Sequence, residues 1–233
     1  PYQSYSHIID LLREASIDPK VTSIKITLYR VAANSNIVWT LANAVKNGKL
    51  VTVVVEIQAR FDEEANIYWS DKLKEEGANV IYGVPGLKIH SKMFLITRKE
   101  SGTLNHYAHI GTGNFNGDTA RVYTDHTLLT SDSQITEEVE KVFNFYSDNY
   151  IGGRYKHLLV SPFYMRKRLY QLINKEIQHA RANKSASIFL KLNNLVDPGM
   201  IHKLYEASSE GVEIKLIVRG TCSLVAGIKG LSE

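Results

Sequence analysis

Apolar residues recur along the chain with the spacing of short strands and amphipathic helices. In the first part, β-branched or continuous apolar runs predict strands at 23–29, 50–57 and 80–82. Apolar residues at helical spacing predict helices at 4–16, 35–47 and 62–76. This strand–helix alternation predicts an α/β fold.

The next part of the chain is richer in strands. The pattern predicts strands at 87–97, 106–110 and 122–129, followed by a helix at 136–150. Because the strands follow one another without helices between them, we expect antiparallel pairing. The predicted architecture is an α/β sandwich.

A later stretch repeats an earlier one. After a connection rich in glycine, serine and proline at 151–162 and a helix at 163–181, the segment 187–218 again shows strand, helix, glycine and strand in the order of 23–57. We therefore expect two domains, 1–157 and 158–233, the second being the opening of a second copy of the first. The chain begins with Pro1 and shows no closing element, so we expect a piece of a longer protein.

Composition narrows the class of protein. Of the 233 residues, 44% are hydrophobic and 22% are charged, which excludes wholesale disorder. No apolar run approaches the roughly 18 residues of a membrane span. The single cysteine, Cys222, excludes an intrachain disulfide and a cysteine-based zinc site, and a reducing cytosol fits best.

The last third of the chain carries a net positive charge, because it is poor in acidic residues. Residues 158–233 hold 11 of the 28 Lys and Arg but only 6 of the 24 Asp and Glu. This excess suggests an anionic partner such as phosphate, nucleic acid or a membrane surface, but on charge alone a solvated helix face around 166–168 explains it better. The two commonest nucleotide-binding loops are absent, because Gly48-Lys49 is followed by leucine and Gly111-Thr112-Gly113 by asparagine.

The triplet His90-Ser91-Lys92 lies within a predicted strand. Alternation places His90 and Lys92 on one face, which Phe94 continues. A histidine and a lysine on an apolar face are costly unless a ligand uses them. Phosphate suits both, since a neutral imidazole can attack phosphorus and an ammonium stabilises the transferring oxygens. A polar strand face turned to solvent is the alternative.

A glycine-flanked turn, 111–116, follows the next predicted strand. Its sequence, GTGNFN, would let backbone N–H groups and asparagine side chains approach an anion. Alone it would be an ordinary hairpin turn, but after His90-x-Lys92 it is more specific. The two motifs together resemble the H-x-K…G-[ST]-x-N signature of the phospholipase D superfamily, which pairs two such motifs and uses a phosphohistidine. The superfamily has aspartate seven residues after the histidine, where this chain has Thr97.

Longer blocks resemble the phosphohistidine-type polyphosphate kinases of bacteria. These blocks, in order along the chain, are LYRVA, EIQARFDEEANI, GLKIHSKM, IGTGNFN, ARVYTD and LIVRG. The resemblance implies a phospholipase D-like αβα sandwich, one complete copy plus the start of a second. It also implies reversible transfer of the terminal phosphate of ATP to inorganic polyphosphate.

The resemblance further implies site residues. His90 would carry the phosphate, and Lys92, Asn114 and Asn116 would line the phosphoryl pocket. Tyr123 and Arg219 match nucleotide-binding positions. Arg30 and Arg60 match positions linked with Mg²⁺, and since a guanidinium cannot ligate a cation, we read them as clamps on phosphate oxygens that also hold Mg²⁺.

The implied partners are ATP or ADP and polyphosphate, with no nucleic acid and no membrane span. The resemblance implies a bacterial cytoplasmic protein and admits both a homo-oligomer of the full-length parent and peripheral membrane association. A phospholipase D-like nuclease or phosphodiesterase, and a non-catalytic anion-binding module, are the alternatives. No second H-x-K follows His90, so we expect the chain alone to be inactive.

Overall fold

The computed structural model describes residues 3–29, 35–56, 63–149 and 152–232. Two predicted site residues, Arg30 and Arg60, lie outside these ranges. The chain divides into two compact units, Pro1–Leu158 and Leu159–Glu233.

The first unit is built on a six-stranded mixed sheet. Its strands are β1 (Val21–Leu28), β2 (Leu50–Val55), β3 (Asn79–Tyr82), β4 (Lys92–Glu100), β5 (Thr103–Gly111) and β6 (Thr127–Thr130). They lie in the order β3-β2-β1-β4-β5-β6. The first three strands pair in parallel, whereas β4 pairs antiparallel with β1, and β5 and β6 continue that arrangement.

Helices of the first unit pack on both faces of this sheet. They are α1 (Ser6–Ile17), α2 (Asn36–Lys46), α3 (Glu63–Glu75), the short α4 (Gly117–Val122) and α5 (Ser133–Ser147). Ile24, Ile26 and Phe94 belong to one buried cluster with residues of α1, α2 and α3. On the opposite face, Lys25 pairs with Glu140 of α5 at 2.5 Å. The predicted α/β sandwich is confirmed.

Coverage on both faces explains the apolar sequence of β2. Val51, Val53 and Val55 are buried with the helices of one face, and Val54, pointing the other way, is fully buried too. The preceding helix, α2, begins at an N-cap in which Ser35 Oγ accepts from the backbone N–H of Val38. It ends before Gly48, whose φ of +76° is the left-handed conformation that glycine adopts freely.

The second unit contains the elements that the repeat predicted. They are α6 (Met165–Arg181), β7 (Ser187–Leu192), α7 (Pro198–Ser209) and β8 (Glu213–Val218). β7 and β8 pair in parallel, and Ile173, Ile177 and Leu204 form part of their hydrophobic core. In the part of the chain that the structure describes, no helix is long and apolar enough to cross a membrane.

Two strand predictions were wrong at their boundaries. The strand predicted at 87–97 begins only at Lys92, so His90 lies in the irregular segment before it. The strand predicted at 122–129 is divided between the end of α4 and β6. The helix α4 has only six residues and buries none of them, so it leaves no periodic apolar signal in the sequence.

Candidate functional site

His90 lies just before β4, and Lys92 is the first residue of that strand. The side chain of His90 is exposed, whereas Lys92, the first residue of the strand, is only 6% exposed. The ammonium group of Lys92 donates to the backbone carbonyl of His90 at 2.5 Å. The lysine therefore restrains the histidine backbone and, by alternation along β4, lies on the same sheet face as Phe94.

Tyr29, which follows β1, brings the charged groups of this region together. Its ring meets the imidazole of His90 edge to face, with centroids 4.8 Å apart. The ammonium of Lys92 lies 4.8 Å from the centre of the same ring, and that of Lys88 lies 5.4 Å from it. Two cations and an imidazole around one aromatic ring form a surface suited to an anion. The sequence analysis missed Tyr29, although it stands in the LYRVA block.

Two buried polar residues, Glu56 and Asn66, form hydrogen bonds to the backbone next to His90 and Tyr29. Glu56, directly after β2, is 6% exposed, and its Oε2 accepts from the backbone N–H of Ile89 at 2.8 Å. Asn66, in α3, is 1% exposed and donates to the carbonyls of Tyr29 and Glu56 at 3.0 and 2.9 Å. The only sequence signal for them was their position in the EIQARFDEEANI block.

The glycines of the turn after β5 make room for side chains. A Cβ at Gly111 would stand 2.7 Å from the ring of His109, and one at Gly113 would stand 2.4 Å from a carboxylate oxygen of Asp125. The backbone N–H of Thr112 donates to the carbonyl of His126 at 3.0 Å. Our expectation that this turn presents its backbone N–H groups to an anion is therefore wrong for Thr112.

The two asparagines of the turn differ in what they contact. Asn116 is the N-cap of α4, and its Oδ1 accepts from the backbone N–H groups of Asp118 and Thr119 at 3.0 and 3.2 Å. Asn114 Oδ1 is buried and has no hydrogen-bond partner among the described residues. A buried, unsatisfied acceptor is costly in a folded protein. Of the two asparagines, Asn114 is therefore the stronger candidate for direct contact with a ligand.

His109 is a second histidine near the triplet, and the sequence analysis assigned it no role. It is 2% exposed and stacks on Phe94 of the adjacent strand with ring centroids 4.9 Å apart. Its Nε2 lies 3.3 Å from Thr127 Oγ1. Burial lowers the pKa of His109 to about 4, so its imidazole is neutral at pH 7.

Comparison with known proteins identifies the family. The model of polyphosphate kinase C-terminal domain 1 matches residues 1–151, and that of C-terminal domain 2 matches residues 158–233. The chain belongs to the polyphosphate kinase family. It is 57% identical to a polyphosphate kinase of Vibrio vulnificus strain YJ016 and 54% identical to one of Escherichia coli K12, in each case over its whole length. It spans 33% and 34%, respectively, of those relatives.

A solved structure supports the same assignment. The chain resembles the crystal structure of polyphosphate kinase from Porphyromonas gingivalis with a TM-score of 0.88 and 41% sequence identity. The match covers 99% of this chain and 38% of that one. The fold of this region is therefore that of a polyphosphate kinase.

The remaining candidate residues of this polyphosphate kinase region lie apart from the triplet in the chain. Tyr123 follows α4 and is 43% exposed. Arg219 belongs to the second unit, directly after β8, and its guanidinium donates to Asn193 Oδ1 at 3.0 and 3.3 Å. Among the described residues, no group of three or more His, Cys, Asp or Glu could hold a metal ion.

Proposed function

We propose that this chain is part of the catalytic region of a longer polyphosphate kinase that transfers the terminal phosphate of ATP to inorganic polyphosphate, reversibly, through His90. The observation that carries the proposal is the exposed imidazole of His90 beside two lysine ammonium groups around Tyr29. Membership of the polyphosphate kinase family supplies the substrate class.

In the first half-reaction, a neutral imidazole nitrogen of His90 attacks the terminal phosphorus of ATP. A P–N bond forms while the bond to the bridging oxygen breaks, and ADP leaves with that oxygen and its electron pair. In the second, a terminal oxygen of polyphosphate attacks the phosphoimidazole and the P–N bond breaks. The nearby Lys92 ammonium favours the unprotonated imidazole and offsets charge on the transferring oxygens.

The turn after β5 completes the proposed phosphoryl pocket. Asn114 would contribute its amide, whose oxygen is unsatisfied among the described residues. Asn116 would contribute its amide nitrogen, because its oxygen already caps α4. Tyr123 and Arg219 would contact the nucleotide, as the resemblance implies.

We propose that Mg²⁺ binds together with the nucleotide. The described residues form no protein-only metal site, and Mg²⁺ is usually held through substrate phosphates with few protein ligands.

Arg30 and Arg60 are proposed to bind phosphate oxygens of the nucleotide. Each alanine variant should lose catalysis far more than stability, and lysine should rescue it only partly because it lacks the bidentate fork. Near-normal turnover of an alanine variant at saturating ATP would remove that arginine from the site.

The sequence pattern and the family membership also support a wider proposal about the whole protein. We propose domains at 1–157 and 158–233, a cytoplasmic bacterial enzyme, and ATP or ADP and polyphosphate as partners without nucleic acid. Oligomerisation of the full-length parent and peripheral membrane association belong to the same proposal.

Thr97 argues against a phosphodiesterase. It occupies the position where the phospholipase D superfamily has aspartate, and it is 7% exposed. Its Oγ1 lies 3.1 Å from Nδ1 of His106, so it is engaged on the neighbouring strand. Hydrolysis of a phosphodiester without any nucleotide would nevertheless favour that alternative.

The test is labelling of the full-length enzyme with ATP carrying a radioactive terminal phosphate, in the presence of Mg²⁺. We expect base-stable, acid-labile label on the peptide that contains His90. His90→Ala should lose both the label and polymer synthesis, whereas the control His7→Ala, at an exposed position of α1, should keep both. Polymer synthesis by a folded His90→Ala enzyme would contradict the phosphohistidine mechanism.

A further inference from the structure

We infer that Glu56 is a positioning residue that fixes the peptide before His90 and so orients the imidazole for phosphoryl transfer. The inference rests on the proposed function, because it gives a role to Glu56 in that reaction. Nothing in the resemblance assigned a role to this glutamate.

The contact itself is short and buried. Glu56 Oε2 accepts from the backbone N–H of Ile89 at 2.8 Å, with Glu56 6% exposed and Ile89 2% exposed. Ile89 immediately precedes His90, and β4 begins only at Lys92. No strand pairing within the described ranges holds this peptide, so the side chain of Glu56 holds it instead.

The other side of His90 is held as well. Its backbone carbonyl accepts from the ammonium of Lys92 at 2.5 Å. Side-chain groups from Glu56 and Lys92 thus restrain the backbone before and after an exposed imidazole. With the backbone fixed, the staggered rotamers of His90 point its ring in few directions.

Asn66 extends this restraint to the ring that His90 touches. Its side-chain nitrogen donates to the backbone carbonyls of both Tyr29 and Glu56, and its backbone carbonyl accepts from Ser70 Oγ at 2.5 Å. The ends of β1 and β2 are thereby joined to each other behind the site. Tyr29 then meets the imidazole edge to face, so both the backbone and the ring of His90 rest on this buried network.

Packing alone does not account for these residues. A buried carboxylate and a buried amide are unfavourable unless their hydrogen bonds are satisfied, and apolar side chains of similar size would fill the same space. What the polar groups add is a defined position for backbone atoms. In phosphoryl transfer, displacement of a reacting group by about 1 Å can cost roughly 100-fold in rate.

The experiment compares Glu56→Ala with Glu56→Gln in the full-length enzyme. Single-turnover phosphorylation of His90 at saturating ATP should fall about 10- to 100-fold in Glu56→Ala, while the KM for ATP changes less than about 3-fold. In Glu56→Gln, the amide oxygen of glutamine can still accept from the backbone N–H of Ile89. The phosphorylation rate of this variant should therefore stay within about 5-fold of the wild-type rate. Thermal unfolding of each variant shows whether it is folded at the assay temperature.

Glu100→Ala is the matched control. Glu100 lies at the opposite end of β4, and its carboxylate accepts from Arg98, Asn105 and Tyr107. Its removal should lower the unfolding temperature and leave the phosphorylation rate unchanged. A wild-type rate in folded Glu56→Ala, or equal losses in Glu56→Gln and Glu56→Ala, would overturn the inference. If Glu56→Ala does not fold, a Glu56→Gln rate more than about 5-fold below the wild-type rate overturns the inference, because the amide oxygen of glutamine can still accept from Ile89.

Hydrogen exchange separates this inference from the proposed function. The amide of Ile89 should exchange faster in Glu56→Ala than in the wild-type protein, while the amides of β1 stay protected. Unchanged exchange at Ile89 would overturn the inference whatever the activity. A different outcome is that the wild-type enzyme fails to phosphorylate His90 while the Ile89 amide exchanges faster in Glu56→Ala. That result would support the hydrogen bond between Glu56 and Ile89 and contradict the phosphohistidine reaction.

Discussion

The burial of His109 makes one part of the stability of the first unit depend on pH. Replacing His109 by phenylalanine should remove that part. Burial lowers the pKa of His109 from 6.5 to about 4. Between these values the unfolded chain binds a proton at this residue that the folded chain does not. The free energy of unfolding therefore falls as the pH falls through this window.

The expected size follows from the same pKa. At about 1.4 kcal/mol per pKa unit, the fall from 6.5 to about 4 corresponds to roughly 3 kcal/mol. His109→Phe keeps an aromatic ring against Phe94 but cannot titrate. The variant loses the contact with Thr127, which gives a constant offset, yet it should gain about 3 kcal/mol on the wild-type protein between pH 7.5 and pH 4.

Urea unfolding followed by tryptophan fluorescence measures this difference. Trp39 and Trp69 both lie in the first unit, with ring centroids 5.6 Å apart, so the signal reports that unit. Phe143→Leu, a change at a buried apolar residue of α5, is the control and should give a difference that does not vary with pH. A difference between His109→Phe and the wild-type protein that stays constant within about 0.5 kcal/mol would refute the reasoning.

Three further outcomes are expected. Gly113→Ala should lose about 1–3 kcal/mol in urea unfolding, because its Cβ would meet Asp125 at 2.4 Å, and the loss should shrink in an Asp125→Ala background. Glu138→Ala should speed trypsin cleavage after Lys156, because the Glu138 carboxylate accepts from the backbone N–H groups of residues 156–158; unchanged cleavage would contradict this. The isolated chain should show no polyphosphate synthesis, since no second H-x-K follows His90; robust ATP-dependent synthesis would disprove that requirement.

Elements with strong local patterns were predictable from the sequence. The helix Pro198–Ser209 lies between two strands and before a glycine, in the order that the repeat predicted, and a proline in its first turn marks its start. The strands β1 and β2 were placed within a few residues. An alternating run with β-branched residues marked β1, and a continuous apolar run marked β2 as a strand covered on both faces. The short helix α4 was missed because its stability comes from the Asn116 cap and not from apolar periodicity.

The contacts around His90 were less accessible to sequence reasoning. The spacing of His90 and Lys92 drew attention to the region, but the pairing of Glu56 with Ile89 joins residues 33 positions apart. Asn66 likewise reaches back 37 positions to Tyr29. Such partners depend on which strand ends meet in the folded sheet, and hydrophobic periodicity carries no information about them.

The position of β1 between β2 and β4 has a consequence for the order of folding. Parallel pairing of β1 with β2 closes a short loop, whereas pairing of β1 with β4 joins residues such as Ile24 and Ile96, far apart in the chain. During synthesis, β4 must therefore emerge from the ribosome before β1 can pair with it. Because Tyr29 follows β1 and Lys92 begins β4, the contact between the Lys92 ammonium and the Tyr29 ring forms only after these two strands have paired.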